Sequence, residues 1–98
     1  MILEAAMLQV KSGLTSDFEQ SFKEASPLIS SIEGYMGHEL QKCLEDDHKY
    51  LLLVKWEKLE NHTIGFRESS QYQTWKEMLH PYYSPFPVVE HFSRIKLD

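Results

Sequence analysis

Cysteine is nearly absent from this chain. The one thiol, Cys43, has no partner for an intrachain disulfide, and a reducing compartment, the cytoplasm, is the expected setting. Basic charge is also short. Ten Lys and Arg stand against fifteen Asp and Glu, for a net charge of −5, and the ten are dispersed. Nucleic acid and anionic membrane both need clustered cations, so neither is expected as a partner. No stretch approaches the roughly 20 apolar residues needed to span a bilayer, and Met1-Ile2-Leu3-Glu4 lacks the basic start of a signal peptide. Ligand motifs are missing too. The histidines at 38, 48, 62, 80 and 91 show no HxH, HxxxH or HExxH spacing, so no metal site is indicated. Without a Gly-rich phosphate loop, a GxSxG elbow or a CxxC pair, neither a nucleotide cofactor nor a hydrolase triad is expected; the cofactor reading is none.

What is present is the composition of a globular protein, 42% hydrophobic and 26% charged, in 98 residues that leave room for one core. With no repeat, low-complexity tract or linker, residues 1–98 read as a single domain. Residues 2–11 place Ile2, Ala6, Leu8 and Val10 on one face at period two, with Leu3, Ala5 and Met7 on the other, which predicts a strand. Gly13 breaks it. Thr15 or Ser16 is expected to cap a helix, Ser16 and Glu19 having capping-box spacing, and Phe18, Phe22, Ala25 and Ile29 form its apolar stripe. Pro27 should kink that helix or confine regular bonding to the stretch before it, and Gly34 supplies the turn that follows.

Tyr35–Glu45 alternates like a half-buried strand, Asp46-Asp47-His48 is a short polar connection, and Lys49–Glu57 is the most strand-like run, so the pair predicts a hairpin. Tyr50, Leu52, Val54 and Trp56 share one face of the second strand, while Leu51 and Leu53 make the other face apolar as well. From Leu59 to about His80 the pattern is helical in two pieces, with a break near Ser69-Ser70. Pro81, Pro85 and Pro87 require a loop over Tyr82–Pro87, and Val88–Leu97 returns as a final strand.

The order β-α-β-β-α-β is the split βαβ signature of an α+β, ferredoxin-like fold, a four-stranded antiparallel sheet with its helices on one face. The other face needs a cover because the central strands are apolar on both sides. A second copy would supply it, giving a homodimer packed sheet to sheet, with a cavity in each subunit between helices and sheet.

Within this frame the segments Trp56-Glu57, His62-Thr63-Ile64-Gly65-Phe66-Arg67-Glu68-Ser69, Trp75-Lys76-Glu77-Met78-Leu79 and Pro87-Val88-Val89-Glu90-His91-Phe92 resemble the antibiotic biosynthesis monooxygenase (ABM) family. Gly34-Tyr35 and Glu39-Leu40-Gln41 resemble the same family, and the likeness runs from about residue 2 to residue 95. It implies a dimeric α/β barrel. It implies chemistry less narrowly, because the family holds cofactor-free quinone oxygenases, heme-degrading enzymes and members of unknown activity. In the cofactor-free oxygenases the resemblance places an asparagine at His62, a tryptophan at Phe66 and a tyrosine at Tyr72, and only the tyrosine is kept. In the heme-degrading branch it places an asparagine near Ala6, a tryptophan at Phe66 and an iron-ligating histidine near Lys76. All three differ here, which speaks against heme degradation; nominating His80 instead would need a register shift.

The candidate site follows from these positions. His62 and Phe66 are spaced i, i+4 and share a helix face. His62 is the candidate catalytic base or hydrogen-bond anchor, since imidazole titrates near neutrality; otherwise it caps the helix or bonds a nearby carbonyl. Phe66, Tyr72 and Trp75 would wall a pocket or simply belong to the core. Arg67 would orient an anionic group, or else form a surface ion pair. His91, alternating with Val89 and Ser93, would face either the pocket or a partner subunit, and His38 is a weaker candidate of the same kind. Cys43 is expected to be a buried, inert thiol. The expected function is a cofactor-independent monooxygenase acting on a small phenolic or quinol-type aromatic. The alternatives are a non-catalytic dimer that binds a small aromatic ligand, and a cavity filled by its own side chains.

Overall fold

A computed structural model describes all of residues Met1–Asp98. Strand β1 (Ile2–Gln9) leads into helix α1 (Thr15–Ser30), followed by the hairpin of β2 (Tyr35–Lys42) and β3 (Lys49–Trp56). A π-helical turn (Asn61–Phe66) and helix α2 (Ser70–Leu79) come next, then a 3₁₀ turn (His80–Tyr82) and β4 (Val89–Ser93). The four strands form one antiparallel sheet in the order β2-β3-β1-β4. This is the split βαβ arrangement read from the sequence, with both helices on one face.

The period-two pattern decides which face is dry. Ala6, Leu8, Tyr50, Leu52, Val54 and Trp56 are buried beneath Phe18, Phe22, Ala25 and Ile29 of α1 and Trp75 and Leu79 of α2. Phe18 packs against Tyr50 at 5.0 Å between ring centroids, and Phe22 meets Trp75 edge-on at 5.4 Å. On the opposite face Met7 is 45% and Phe92 50% exposed, with Leu51 and Leu53 half-buried beside them.

Several local expectations are corrected. Helix α1 has Leu14 at its N-cap and no side-chain cap, so neither Thr15 nor Ser16 plays that part. The turn is instead closed by the backbone, Leu14 N–H donating to the Lys11 carbonyl at 3.1 Å, after Gly13 at φ +80°. Pro27 neither ends nor truncates the helix, which runs on to Ser30. It lies exposed near the end, where its missing N–H forgoes only one hydrogen bond. Strand β2 stops at Lys42, and Cys43 is half-buried with its thiol 3.6 Å from Glu45 rather than sealed in the core. Strand β4 is shorter than Val88–Leu97 because its only neighbour is β1, and Ile2 already stands opposite Ser93.

Two ties hold the α2 side of the molecule in place. Gly34, at φ +86°, leaves space that the Asn61 side chain fills: a Cβ there would fall 2.1 Å from Asn61 Cγ. The Asn61 amide oxygen accepts from Lys58 N–H at 2.8 Å, and the Gly34 carbonyl accepts from Glu57 N–H at 2.8 Å. At the other end Lys11 N–H donates to the Tyr82 carbonyl and Ser84 N–H to the Gln9 carbonyl, each at 2.9 Å. These bonds anchor the segment after α2 along the end of β1.

Candidate active site

Residue 4 is on the inner face of β1, where alternation calls for an apolar side chain, and it is a glutamate. Glu4 is 4% exposed. A carboxylate can remain there only if polar groups meet it. Trp56 of β3 donates its indole N–H to Glu4 Oε1 at 2.9 Å. His62, brought over the sheet by the π-helical turn, has its Nε2 3.4 Å from the same oxygen, too long for a well-formed hydrogen bond. His91, opposite Glu4 in the β1–β4 register, approaches from the other side, its Nε2 2.7 Å from His62 Nδ1.

The result is a chain of buried Trp56, Glu4 and His62 ending in the half-buried His91. The His62 ring is also stacked on the Trp56 indole, 5.6 Å between centroids and 22° from parallel. The simplest proton arrangement has neutral His62 carrying its proton on Nε2, towards Glu4, with Nδ1 accepting from His91 Nε2–H; this tautomer is assigned from the partners. Burial pushes the Glu4 carboxyl above the usual carboxylate range, against the opposing pull of the Trp56 hydrogen bond and the Arg67 charge. Burial, followed by the Arg67 and His91 charges, lowers His62 to about 3. Burial and then Arg67 also push His91 down. Both imidazoles are therefore neutral at neutral pH.

The π-helical turn has a visible cause. Arg67 N–H reaches back five residues to the His62 carbonyl at 3.1 Å, a wider loop than the α-helical bond. Ser69 then closes this segment and opens α2. Its hydroxyl donates to the Phe66 carbonyl at 2.6 Å and accepts from Tyr72 N–H at 3.1 Å. The expected break near Ser69-Ser70 is this cap.

His62, Phe66, Arg67, Tyr72 and Trp75, all singled out in the sequence, border one cavity of about 60 Å³ between the helices and the sheet. Phe66 is its inner wall, edge-on to Tyr72 at 5.2 Å and to Trp75 at 5.6 Å. His91 does not border the cavity; it stands behind His62. Sequence reasoning missed Glu4, which lines the floor, and Tyr83, a buried phenol whose titration burial pushes strongly upwards. His80, considered only as a heme ligand, also lines the cavity. The signal for Glu4 was present, since it falls between Ile2 and Ala6 on the strand face that was read as apolar.

The remaining polar clusters are structural. Tyr35 donates its hydroxyl to His38 Nδ1, His38 Nε2 lies 3.2 Å from Ser26 Oγ, and Ser26 donates to the Phe22 carbonyl at 2.9 Å. Every group in that series has a partner, so it straps β2 to α1 and leaves no free nucleophile. Asp46, Asp47 and His48 place ligand-type atoms within 4.8 Å of one another at the hairpin tip, and His48 Nδ1 is 3.2 Å from Asp47. Exposed ion pairs of this kind contribute little.

A four-stranded sheet carrying two helices over an inward-facing polar cluster defines a class, and comparison with known proteins identifies it. The family description "Antibiotic biosynthesis monooxygenase" matches residues 1–78, and the chain belongs to that family. It is 58% identical over 95 residues to the uncharacterized protein YczJ of Bacillus subtilis strain 168, covering 97% of this chain and 100% of that one. A crystal structure from Bordetella bronchiseptica, named among the antibiotic biosynthesis monooxygenases, is 32% identical with a TM-score of 0.92, covering 97% of each chain. SnoaB, a cofactor-independent oxygenase from Streptomyces nogalater, shares the fold at a TM-score of 0.85 and 14% identity, covering 98% of this chain and 94% of that one. No helix is long and apolar enough to cross a membrane.

Proposed function

We propose that this protein is a cofactor-independent monooxygenase for a small phenolic or quinol-type aromatic, working as a homodimer in the cytoplasm. The observation that carries the reading is the buried Glu4–His62 pair, backed by His91, on the floor of a cavity walled by Phe66, Tyr72 and Trp75. Such a cluster is suited to removing a proton away from bulk water, and aromatic walls are suited to a flat ring. Once deprotonated, an electron-rich ring is itself the reductant for O₂. A phenol with an open ring carbon and one O₂ give a quinone and one water: one oxygen enters the ring, and the other leaves with the two displaced hydrogens. In this scheme the protein holds the substrate, excludes water and manages the proton. His62 stands beside Glu4 within the acid–base cluster, and Arg67 at the rim attracts the anion that forms.

One observation favours a second reading. The cavity of about 60 Å³ is well below the roughly 150 Å³ that accommodates benzene in an apolar protein core, so an aromatic guest requires the rim to move. A cavity closed by its own side chains would be content with that volume. Oxygen uptake over a panel of phenols and hydroquinones, with binding followed by the fluorescence of Trp56 and Trp75, separates the readings. The expected result is uptake above the buffer rate that falls by about a hundredfold in His62→Ala. Binding without uptake by the parent identifies a ligand-binding module.

The apolar outer face formed by Leu3, Ala5, Met7, Leu51, Leu53 and Phe92 supports the dimer, and the lone Cys43 supports a reducing location.

A further inference from the structure

We infer that Glu4 is the residue that takes the substrate's proton, and that the substrate is a carbon acid whose conjugate base is an enolate or phenolate. The inference rests on the oxygenase reading for its choice of substrate and names the acid–base group within that site. Its basis is which atoms of the cluster remain free. Glu4 Oε1 is occupied, receiving the Trp56 indole N–H at 2.9 Å with His62 Nε2 3.4 Å away. Glu4 Oε2 accepts no hydrogen bond, yet no fully sealed side-chain nitrogen or oxygen in the protein lacks a partner. Oε2 is therefore not sealed, and Glu4 is one of the residues that line the cavity.

His62 lacks that freedom. Its Nδ1 is engaged by His91 and its Nε2 faces Glu4, so no imidazole lone pair is left for a guest. The other titratable groups on the cavity are Arg67, a cation, the phenols Tyr72 and Tyr83, and His80. His80 sits at the end of α2, packed against Tyr83 at 5.9 Å and Phe86 at 5.5 Å, and is the one rival base. Desolvation strengthens Glu4 as a base relative to a surface carboxylate, whereas burial weakens both His62 and His80.

In the proton-transfer step the acidic C–H bond of the substrate's keto form breaks, the proton goes to Glu4 Oε2, and the electron pair remains in the conjugated enolate or phenolate. The carbon of that anion then bonds to O₂; as the O–O bond breaks and the C=O forms, the outer oxygen leaves as water with the proton returned by Glu4 and the second hydrogen of that carbon. Trp56 fixes the carboxyl plane, and the Arg67 charge offsets the new anion. The Trp56 N–H keeps Oε1 occupied, so the transfer uses Oε2.

Proton transfer can be read apart from oxygenation by following deuterium from D₂O into the C1 position of 2-tetralone by NMR under argon. The parent should exchange faster than buffer, and Glu4→Gln, which keeps an acceptor for the Trp56 N–H, should lose about a hundredfold or more. Formate should restore exchange to Glu4→Ala. The parent's own profile needs no variant: its rate should fall on the acid side with a group titrating above 4.5. The groups facing that carboxyl are Trp56 from β3, His62 and Arg67 from the turn and its end, and His91 from β4. Parent-like exchange in Glu4→Gln, loss in His80→Gln alone, a flat acid limb, or no acceleration by the parent each overturns the inference. Oxygen uptake on phenols that ignores Glu4→Gln leaves the oxygenase reading intact while removing this one. Glu4-dependent exchange without any oxygen uptake does the reverse.

Discussion

Glu4 and His62 pull stability in opposite directions as pH changes. His62 is held neutral, lowered from 6.5 to about 3, so below pH 6.5 the unfolded chain binds a proton that the folded one refuses. Stability from this residue is fully present above 6.5 and is lost as pH falls towards 3. Glu4 is raised from 4.5, so its contribution is fully present below 4.5 and is lost as pH rises through its folded value. Between pH 6.5 and 5 the His62 effect is at most about 2 kcal/mol, since each unit of pH is about 1.4 kcal/mol for one proton, and Glu4 offsets part of it. Thermal melts should therefore give a lower Tm at pH 5 than at pH 7. His62→Gln should flatten that slope; an unchanged slope would place the acid sensitivity elsewhere. The residues of this cluster were unevenly legible. His62 stood out because imidazole titrates near neutrality and because it lies, four residues before Phe66, in the segment that resembles the ABM family. Glu4 did not, because it is one acid among fifteen, and its place between Ile2 and Ala6 on the apolar strand face is the one local sign of burial.

The elements were read more readily than their ends. Helix α1 followed from Phe18, Phe22, Ala25 and Ile29, and the hairpin from the alternation of Tyr50, Leu52, Val54 and Trp56, because burying one face imposes a period on the sequence. Their termini depend on partners that are distant in sequence. Strand β4 ends where β1 has nothing further to pair with, and α1 starts on a backbone turn rather than a side-chain cap. The π-helical turn was not legible, since a pattern of apolar residues does not distinguish a five-residue hydrogen bond from a four-residue one. Ser69 is the exception, a cap that the sequence marked as a break. Replacing it with alanine removes the acceptor for Tyr72 N–H and the donor to the Phe66 carbonyl. Ser69→Ala should cost about 1 kcal/mol. Urea unfolding should show a lower midpoint with an unchanged m-value; an unmoved midpoint would mean that α2 does not need this cap.

At the scale of the whole molecule the sheet has one finished face and one unfinished. The inner face is covered by two helices. The outer face carries Leu51 and Leu53 at its centre, with Met7 and Phe92 about half exposed around them. Apolar surface of this kind is ordinarily an interface, and the two-faced apolar pattern of β3 is the sequence feature that leads to the expectation of a dimer. Sedimentation equilibrium at micromolar concentration should return twice the 11.6 kDa chain mass. Leu53→Asp, on that face opposite Ala5, should return the single mass with the helical signal retained. A parent that sediments as a monomer would contradict the interface and leave the outer face unexplained.

Gly34 and Asn61 have a consequence for how such a chain can drift. The two positions lie in different connections, one leaving α1 and the other entering the turn that carries His62, yet one side chain fills the space that the other lacks. Neither position is free to change alone: a larger residue at 34 displaces the amide, and a smaller one at 61 removes the acceptor for Lys58 N–H. Related sequences should therefore substitute these two sites together or not at all, even though 26 residues separate them and neither touches the cavity.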